Sequence, residues 1–177
     1  MKNAPGQRRS TNRLGAIGMT AAISVFGGGA MLRQCAPAAP PPPPAAAIGV
    51  PMPIYGEMVG LVNSYRAQSG VGPVSEHGQL DMAAIDHSSD MAQRLVLTHT
   101  GWDGSNAGQR IRANGYSAST WGENIAYGQS SVAQAMTAWM NSAGHRANIR
   151  NPAFTQIGVA AVAAANGAIY WTMVLAA

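Results

Sequence analysis

From Pro53 onward, apolar residues recur at helical spacing. Ile54, Met58, Leu61, Val62 and Tyr65 predict a first helix over about 54–68, with Gly70 as its stop. A second helix is predicted over 78–96, with Leu80, Ala84, His87, Met91 and Leu95 on one face. Asp86, Asp90 and Arg94 follow at four-residue steps on another, which reads as a solvated face holding one favourable Asp90–Arg94 pair. Asn106 is placed to cap a short third helix reaching Asn114, closed by Gly115. Val132, Ala135, Met136 and Trp139 predict a fourth over 131–142. The pattern then turns strand-like at 156–163 and 168–175, around an Asn166-Gly167 turn signal. Helices first and a hairpin last predict an α+β domain whose antiparallel sheet is covered by helices.

The N-terminal part has a different character. Residues 1–13 carry Lys2, Arg8, Arg9 and Arg13 and no acid, and Leu14–Met31 is an uncharged, apolar, Gly/Ala-rich run. This is the pattern of a secretory n-region and h-region, so 1–35 is expected to be a signal peptide or membrane anchor. Ala36-Pro37-Ala38 is a small-residue cleavage candidate, and the 18-residue run also suffices for an uncleaved anchor. Gln34 in front of Cys35 argues against lipid attachment, and Ser10-Thr11-Asn12 after Arg8-Arg9 is a poor twin-arginine match. Residues 36–52 form a Pro/Ala-rich linker with extended polyproline character, about 3 Å per residue. The domain proper is 53–177.

Charge and cysteine content narrow the function. The formal charge of +4 misleads, because five of the eleven basic residues lie in the leader. Six basic residues against seven acids leave the exported part at −1, which gives no electrostatic support for nucleic-acid binding. The one cysteine, Cys35, also lies in the leader, so the domain has neither disulfide nor thiol nucleophile. No H-E-x-x-H, G-x-S-x-G, Walker or S-x-x-K motif occurs.

Four histidines remain to be weighed. His77 precedes the second helix beside Glu76 and reads as solvated, whereas His87 lies on an apolar stripe and reads as a hydrogen-bonded core residue. His99, Glu123 and His145 all fall on expected connecting segments, 24 and 22 residues apart. Two histidines and a carboxylate are the three protein ligands of an open zinc site, and the same set can orient a water for acid/base work. Loop residues with structural hydrogen bonds are the other reading.

Six stretches in order, "LVNSYRAQSGVGPV", "HSSDMA", "LTHTGWDG", "GENIAYG", "WMNSAGHRANIRNP" and "IGVAAV…YWTMV", resemble the bacterial CAP (SCP-like) domains. These belong to the superfamily of cysteine-rich secretory proteins, antigen 5 and pathogenesis-related proteins. The resemblance implies a three-layer α-β-α sandwich and a cleft lined by a His, Glu, Glu, His tetrad, whose histidines hold a divalent metal in some members. It puts the tetrad histidines on His99 and His145 and one glutamate on Glu123. The other glutamate has no counterpart in Trp139-Met140-Asn141-Ser142, and Met173 stands where many relatives have glutamine, implying a more apolar cleft wall. It further implies that Gly144 turns the chain, that His145 points into the cleft, and that Arg146 and Asn148 tie down the loop.

Together these features predict an exported protein, secreted or held at the cell envelope. Its expected role is to bind a lipid, cell-wall or protein ligand in a His99/Glu123/His145 cleft able to hold zinc or another divalent cation on His99 and His145, with no cofactor as the other reading. A metal-dependent hydrolase, with Glu123 activating a water on a metal held by His99 and His145, is the alternative.

Overall fold

The computed structural model describes residues 54–177; the expected leader and linker lie outside them. The elements in chain order are α1 (Tyr55–Ala67), β1 (Ser75–Glu76), α2 (Gly78–Arg94), α3 (Ala107–Ala113), β2 (Trp121–Tyr127), α4 (Val132–Asn141), α5 (Ala143–Ile149), β3 (Gln156–Ala163) and β4 (Ile169–Ala176). The Asn106 cap read in the sequence is present. Asn106 and Gln109 form a reciprocal capping box on α3, and the structure adds a second cap, Ser131 accepting from the Gln134 N–H at the start of α4.

The strands form one sheet in the order β1-β3-β4-β2. β3, β4 and β2 are antiparallel neighbours, and the two-residue β1 adds a parallel pairing at the far edge, so the sheet is mixed. Side chains alternate between the faces of a strand, and here the alternation sorts the core into two layers. Ile157, Val159 and Ala161 of β3, with Trp171, Met173 and Leu175 of β4, pack against α1, α4 and α5. Ala160, Val174 and Ala176 pack against α2 and α3, and Val162 and Tyr170 complete that face with Met91 of α2. The result is the α-β-α sandwich expected from the resemblance.

One close approach and two polar ties hold the layers in register. Gly158 lets α2 press onto β3, since a Cβ there would overlap the Leu80 carbonyl group and the Asp81 nitrogen. Asp81 Oδ1 accepts the Val159 N–H at 2.9 Å, serving the stretch of β3 beyond its short pairing with β1. Arg66 is buried and donates to the carbonyls of Gly72, Ile149, Asn151 and Phe154, at 2.7–2.9 Å, so one guanidinium ties α1 to the segment between α5 and β3. At the β2 edge, Trp139 Nε1–H and Asn148 Nδ2–H donate to the Ile125 and Glu123 carbonyls, which blunts the edge against further pairing.

Four expectations are corrected. Glu123 lies on a strand, β2, and not on a connecting segment; its single charge inside "WGENIAYG" hid the alternation. The loop expected after the fourth helix is a second helix, α5, and the turn is made by Ser142 (φ −91°, ψ 125°) while Gly144 is helical. Met173 is fully buried in the core and forms no cleft wall. Asp90 does pair with Arg94, through contacts of 2.8 and 2.5 Å, but the face is solvated only in part: Asp86 is exposed, whereas Asp90 is buried and also accepts the Trp102 N–H.

Two consequences can be measured. Gly158→Ala must push α2 off the sheet and should lower unfolding stability by about 1–3 kcal/mol in denaturant titration. Burial pushes the Asp81 carboxyl up to about 6 from 3.8; the Val159 hydrogen bond opposes this and Glu76 adds to it. The folded state therefore binds the proton more tightly than the unfolded chain, and stability from this group is lost as pH rises from about 4 through about 6. Asp81→Asn, which keeps an acceptor for Val159, should be more stable than the parent by about 1 kcal/mol at pH 7, with the difference gone by about pH 4.

Candidate functional site

The site begins where α2 ends. Leu95 takes a left-handed conformation (φ 54°), the one non-glycine residue with positive φ among the described residues, and the chain turns out of the helix. The segment that follows runs back beside α2, where the Thr98 carbonyl accepts the Nε2–H of the fully buried His87 at 2.8 Å. This fulfils the core reading of His87 and delivers His99 to β2. His77, in turn, is the N-cap of α2, accepting the Gln79 N–H and meeting Tyr116 edge-on.

On β2, Glu123 pairs with Val174 and Ile125 with Thr172, which places the Glu123 side chain on the α2/α3 face. Asn124 projects to the opposite face, where its Nδ2 donates to the His145 carbonyl at 3.1 Å and its Oδ1 accepts from Asn148 at 2.8 Å. Glu123 is buried, and a buried carboxylate requires compensation. His99 Nδ1 lies 2.8 Å from its Oε1, and Arg110 Nη2 donates to Oε2 at 2.7 Å. The buried His87 ring is 3.8 Å from Oε1. Arg110 also donates to the Ser105 and His99 carbonyls, at 2.8 and 3.2 Å, so the same guanidinium shapes the loop carrying His99.

The electrostatics follow. Burial alone would raise the Glu123 carboxyl, but the His99 hydrogen bond, the His87 ring and the Arg110 guanidinium outweigh it and hold the group below the usual carboxylate range. Burial, and next the neighbouring charge of His99, lower the pKa of His145, so its ring is neutral at pH 7.

His99 and Glu123 thus share one pocket of about 380 Å³, together with Asn106, Trp121 and Asn148. His145 stands on α5, half-buried, outside that lining but close enough to feel His99. Arg146 and Asn148 do tie the segment down: Arg146 Nη1 donates to the Met140 carbonyl at 2.6 Å, and Asn148 to the Glu123 carbonyl at 3.3 Å. Among the described residues, no three His, Cys, Asp or Glu side chains converge as a metal set. Glu123 faces Arg110 and His99 instead, a geometry for an ion pair rather than for a carboxylate ligand. The three-residue zinc centre expected from the sequence does not fit this donor arrangement. Arg110 is the participant that the sequence concealed, because nothing in its spacing sets it apart from the other arginines.

A family model described as the cysteine-rich secretory protein family (CAP) matches residues 59–175. An uncharacterized Bacillus subtilis protein, YkwD, is 38% identical over 103 residues, which is 58% of this chain and 40% of that protein. Among solved structures, an extracellular protein containing an SCP domain from Bacillus anthracis superposes with a TM-score of 0.62 at 27% identity, covering 68% of this chain and 39% of that one. An outer surface protein of Borrelia burgdorferi gives 0.63 at 19% identity, covering 72% and 97%, and shares the fold. The chain spans less than half the length of the curated relatives it matches.

Removing the guanidinium should expose the cost of the buried acid. Arg110→Ala is expected to destabilise the protein by about 3 kcal/mol at pH 7, because Glu123 is left short of its countercharge. Glu123 has a depressed folded-state pKa, so the parent's advantage exists above the ordinary carboxylate value and is lost as pH falls through the folded one. Urea titrations at pH 7 and in acid should show the gap closing in acid, and Glu123→Gln should recover part of it at pH 7.

Proposed function

This chain belongs to the cysteine-rich secretory protein (CAP) family, and from that premise we propose that it is an exported, non-hydrolytic recognition module of the bacterial cell envelope. Its recognition surface on this reading is the pocket of His99 and Glu123 with the neighbouring His145. One observation carries the proposal: the carboxylate that a hydrolytic mechanism needs as a base is buried, bonded to Arg110 at 2.7 Å and to His99 at 2.8 Å, and held below the usual carboxylate range. A general base works best with a pKa near the operating pH, and this group is displaced the other way. No second carboxylate supports it, since Met140 and Asn141 occupy the segment after Trp139.

The same features suit recognition. His99 is well exposed, its side chain 58% accessible, while its Nδ1 is fixed by Glu123, so Nε2 is presented outward in a set orientation. His145 adds a neutral ring and Trp121 an exposed indole beside them. A lipid headgroup, wall fragment or protein segment with polar groups next to an apolar one fits such a surface. A divalent cation enters this reading only as a bridge between the ligand and the two histidines. The extracellular and outer-surface descriptions of the Bacillus anthracis and Borrelia proteins support the proposed location.

The test combines binding and turnover. Full-length protein should cosediment with isolated cell-wall sacculi or with lipid vesicles, and His99→Ala or His145→Ala should weaken that binding by about fivefold or more. Casein and ester substrates should show no turnover, with or without added zinc. Turnover abolished in Glu123→Gln would overturn the proposal in favour of hydrolysis.

A further inference from the structure

Two Asn-Gly pairs occur in the chain, Asn114-Gly115 at the end of α3 and Asn166-Gly167 between β3 and β4. In sequence they are equivalent, since each marks a chain reversal. Each also carries a reactive arrangement. A glycine nitrogen has no Cβ beside it, so it can approach the Cγ of the preceding asparagine and close a succinimide ring. Folding makes the two pairs different.

Asn166 and Gly167 are exposed at the hairpin tip, where residues 163–169 include no charged side chain. Nothing lies within 4 Å of the position a Gly167 Cβ would take, so there is room for the ring to form. Asn166 Oδ1 accepts the Ala168 N–H at 3.0 Å, which withdraws electron density from Cγ, and no partner holds Nδ2 among the described residues. Asn114, by contrast, is half-buried and held at its nitrogen. Its Nδ2 donates to Asp86 Oδ2 of α2 at 2.8 Å and to the Arg110 carbonyl at 3.0 Å. The Gln79 amide group crowds Gly115, 2.9 Å from where a Cβ would stand. Each glycine N–H donates to one backbone carbonyl, Gly167 to Ala164 at 2.9 Å and Gly115 to Arg112 at 3.0 Å, so that restraint is common to both.

Ring closure requires the glycine nitrogen to lose its proton and the side-chain nitrogen to leave. Beside Asn114, the Asp86 carboxylate disfavours the first step by like charge, and two hydrogen bonds hold back the second. Neither restraint acts at Asn166. We propose that Asn166 is a site of spontaneous deamidation, and that contacts with α2 and α3 protect Asn114. Solvent base takes the Gly167 amide proton, the nitrogen bonds to Asn166 Cγ, and the Cγ–Nδ2 bond breaks as ammonia leaves with a proton from water. Water then opens the ring at either carbonyl, giving aspartate or isoaspartate. Water is the sole co-reactant, and nothing is oxidised or reduced. Either product adds a negative charge at the hairpin tip, and isoaspartate adds a methylene to its backbone. The eight paired positions of β3 and β4 and the lining of the His99 pocket lie outside the turn, so neither is altered.

The experiment is incubation of the full-length protein at mildly alkaline pH, followed by peptide mapping with mass spectrometry. A gain of about 1 Da, with isoaspartate among the products, is expected in the peptide containing Asn166. The same gain at Asn114 should be slower by about tenfold or more. In urea, where the contacts are gone, the two sites should react at similar rates. Asp86→Ala, an exposed change on α2, should speed the reaction at Asn114 by about threefold or more and leave Asn166 as it was. Asn166→Gln should abolish the gain in the hairpin. Asn114 reacting as fast as Asn166 in the folded protein would overturn the proposal. So would an Asn166 that stays intact while the urea-unfolded chain reacts, or an Asn114 rate unmoved by Asp86→Ala.

Discussion

The buried carboxylate of Glu123 is the constraint around which this molecule is organised. A strand residue facing a helical layer would ordinarily be apolar, as Ile125 is two positions on. A charge there must be neutralised locally or the strand cannot pack. Its compensation recruits two separate pieces of chain, the loop after α2 through His99 and helix α3 through Arg110, beside the buried His87 ring of α2 at 3.8 Å. The loop and the short helix thereby gain a fixed place over the sheet, which their own few apolar residues would secure only weakly. Structure and site are the same set of contacts on this face.

The cost of that arrangement falls on catalysis. A carboxylate already bonded to a guanidinium and an imidazole is a poor proton acceptor, and a histidine bonded to it through Nδ1 has one nitrogen left to offer. The site is therefore pre-organised for holding something at Nε2 and poorly equipped for moving protons. The acidic partner absent after Trp139 fits the same picture, since one charged group in this pocket is already fully committed.

On the other side of the sheet, fixation relies on hydrogen bonds to backbone. Arg66 binds four carbonyls, those of Gly72, Asn151 and Phe154 in irregular chain and of Ile149 at the end of α5, Asn124 and Asn148 bridge β2 to α5, and Trp139 covers the β2 edge while filling the core. These are the groups that position His145. His145 reaches the neighbourhood of His99 only because β2, one strand thick and at the edge, is crossed by side chains on both faces.

Much of the architecture was legible in the sequence by itself. Periodicity located α1, α2 and α4 to within about two residues, the Asn106 cap and Gly115 stop located α3, the Asn166-Gly167 turn located the final hairpin, and six ordered stretches carried the family. Those features are local, and local pattern is what a one-dimensional chain can express. Tertiary structure alone decided that Glu123 sits on an edge strand, that His145 rides on a second short helix, and that Arg110 holds the acid. Residues 99, 110 and 123 meet through strand register and helix placement, and the energy that selects the meeting is the desolvation of one buried charge. That quantity depends on what surrounds the group after folding, so no spacing along the chain records it.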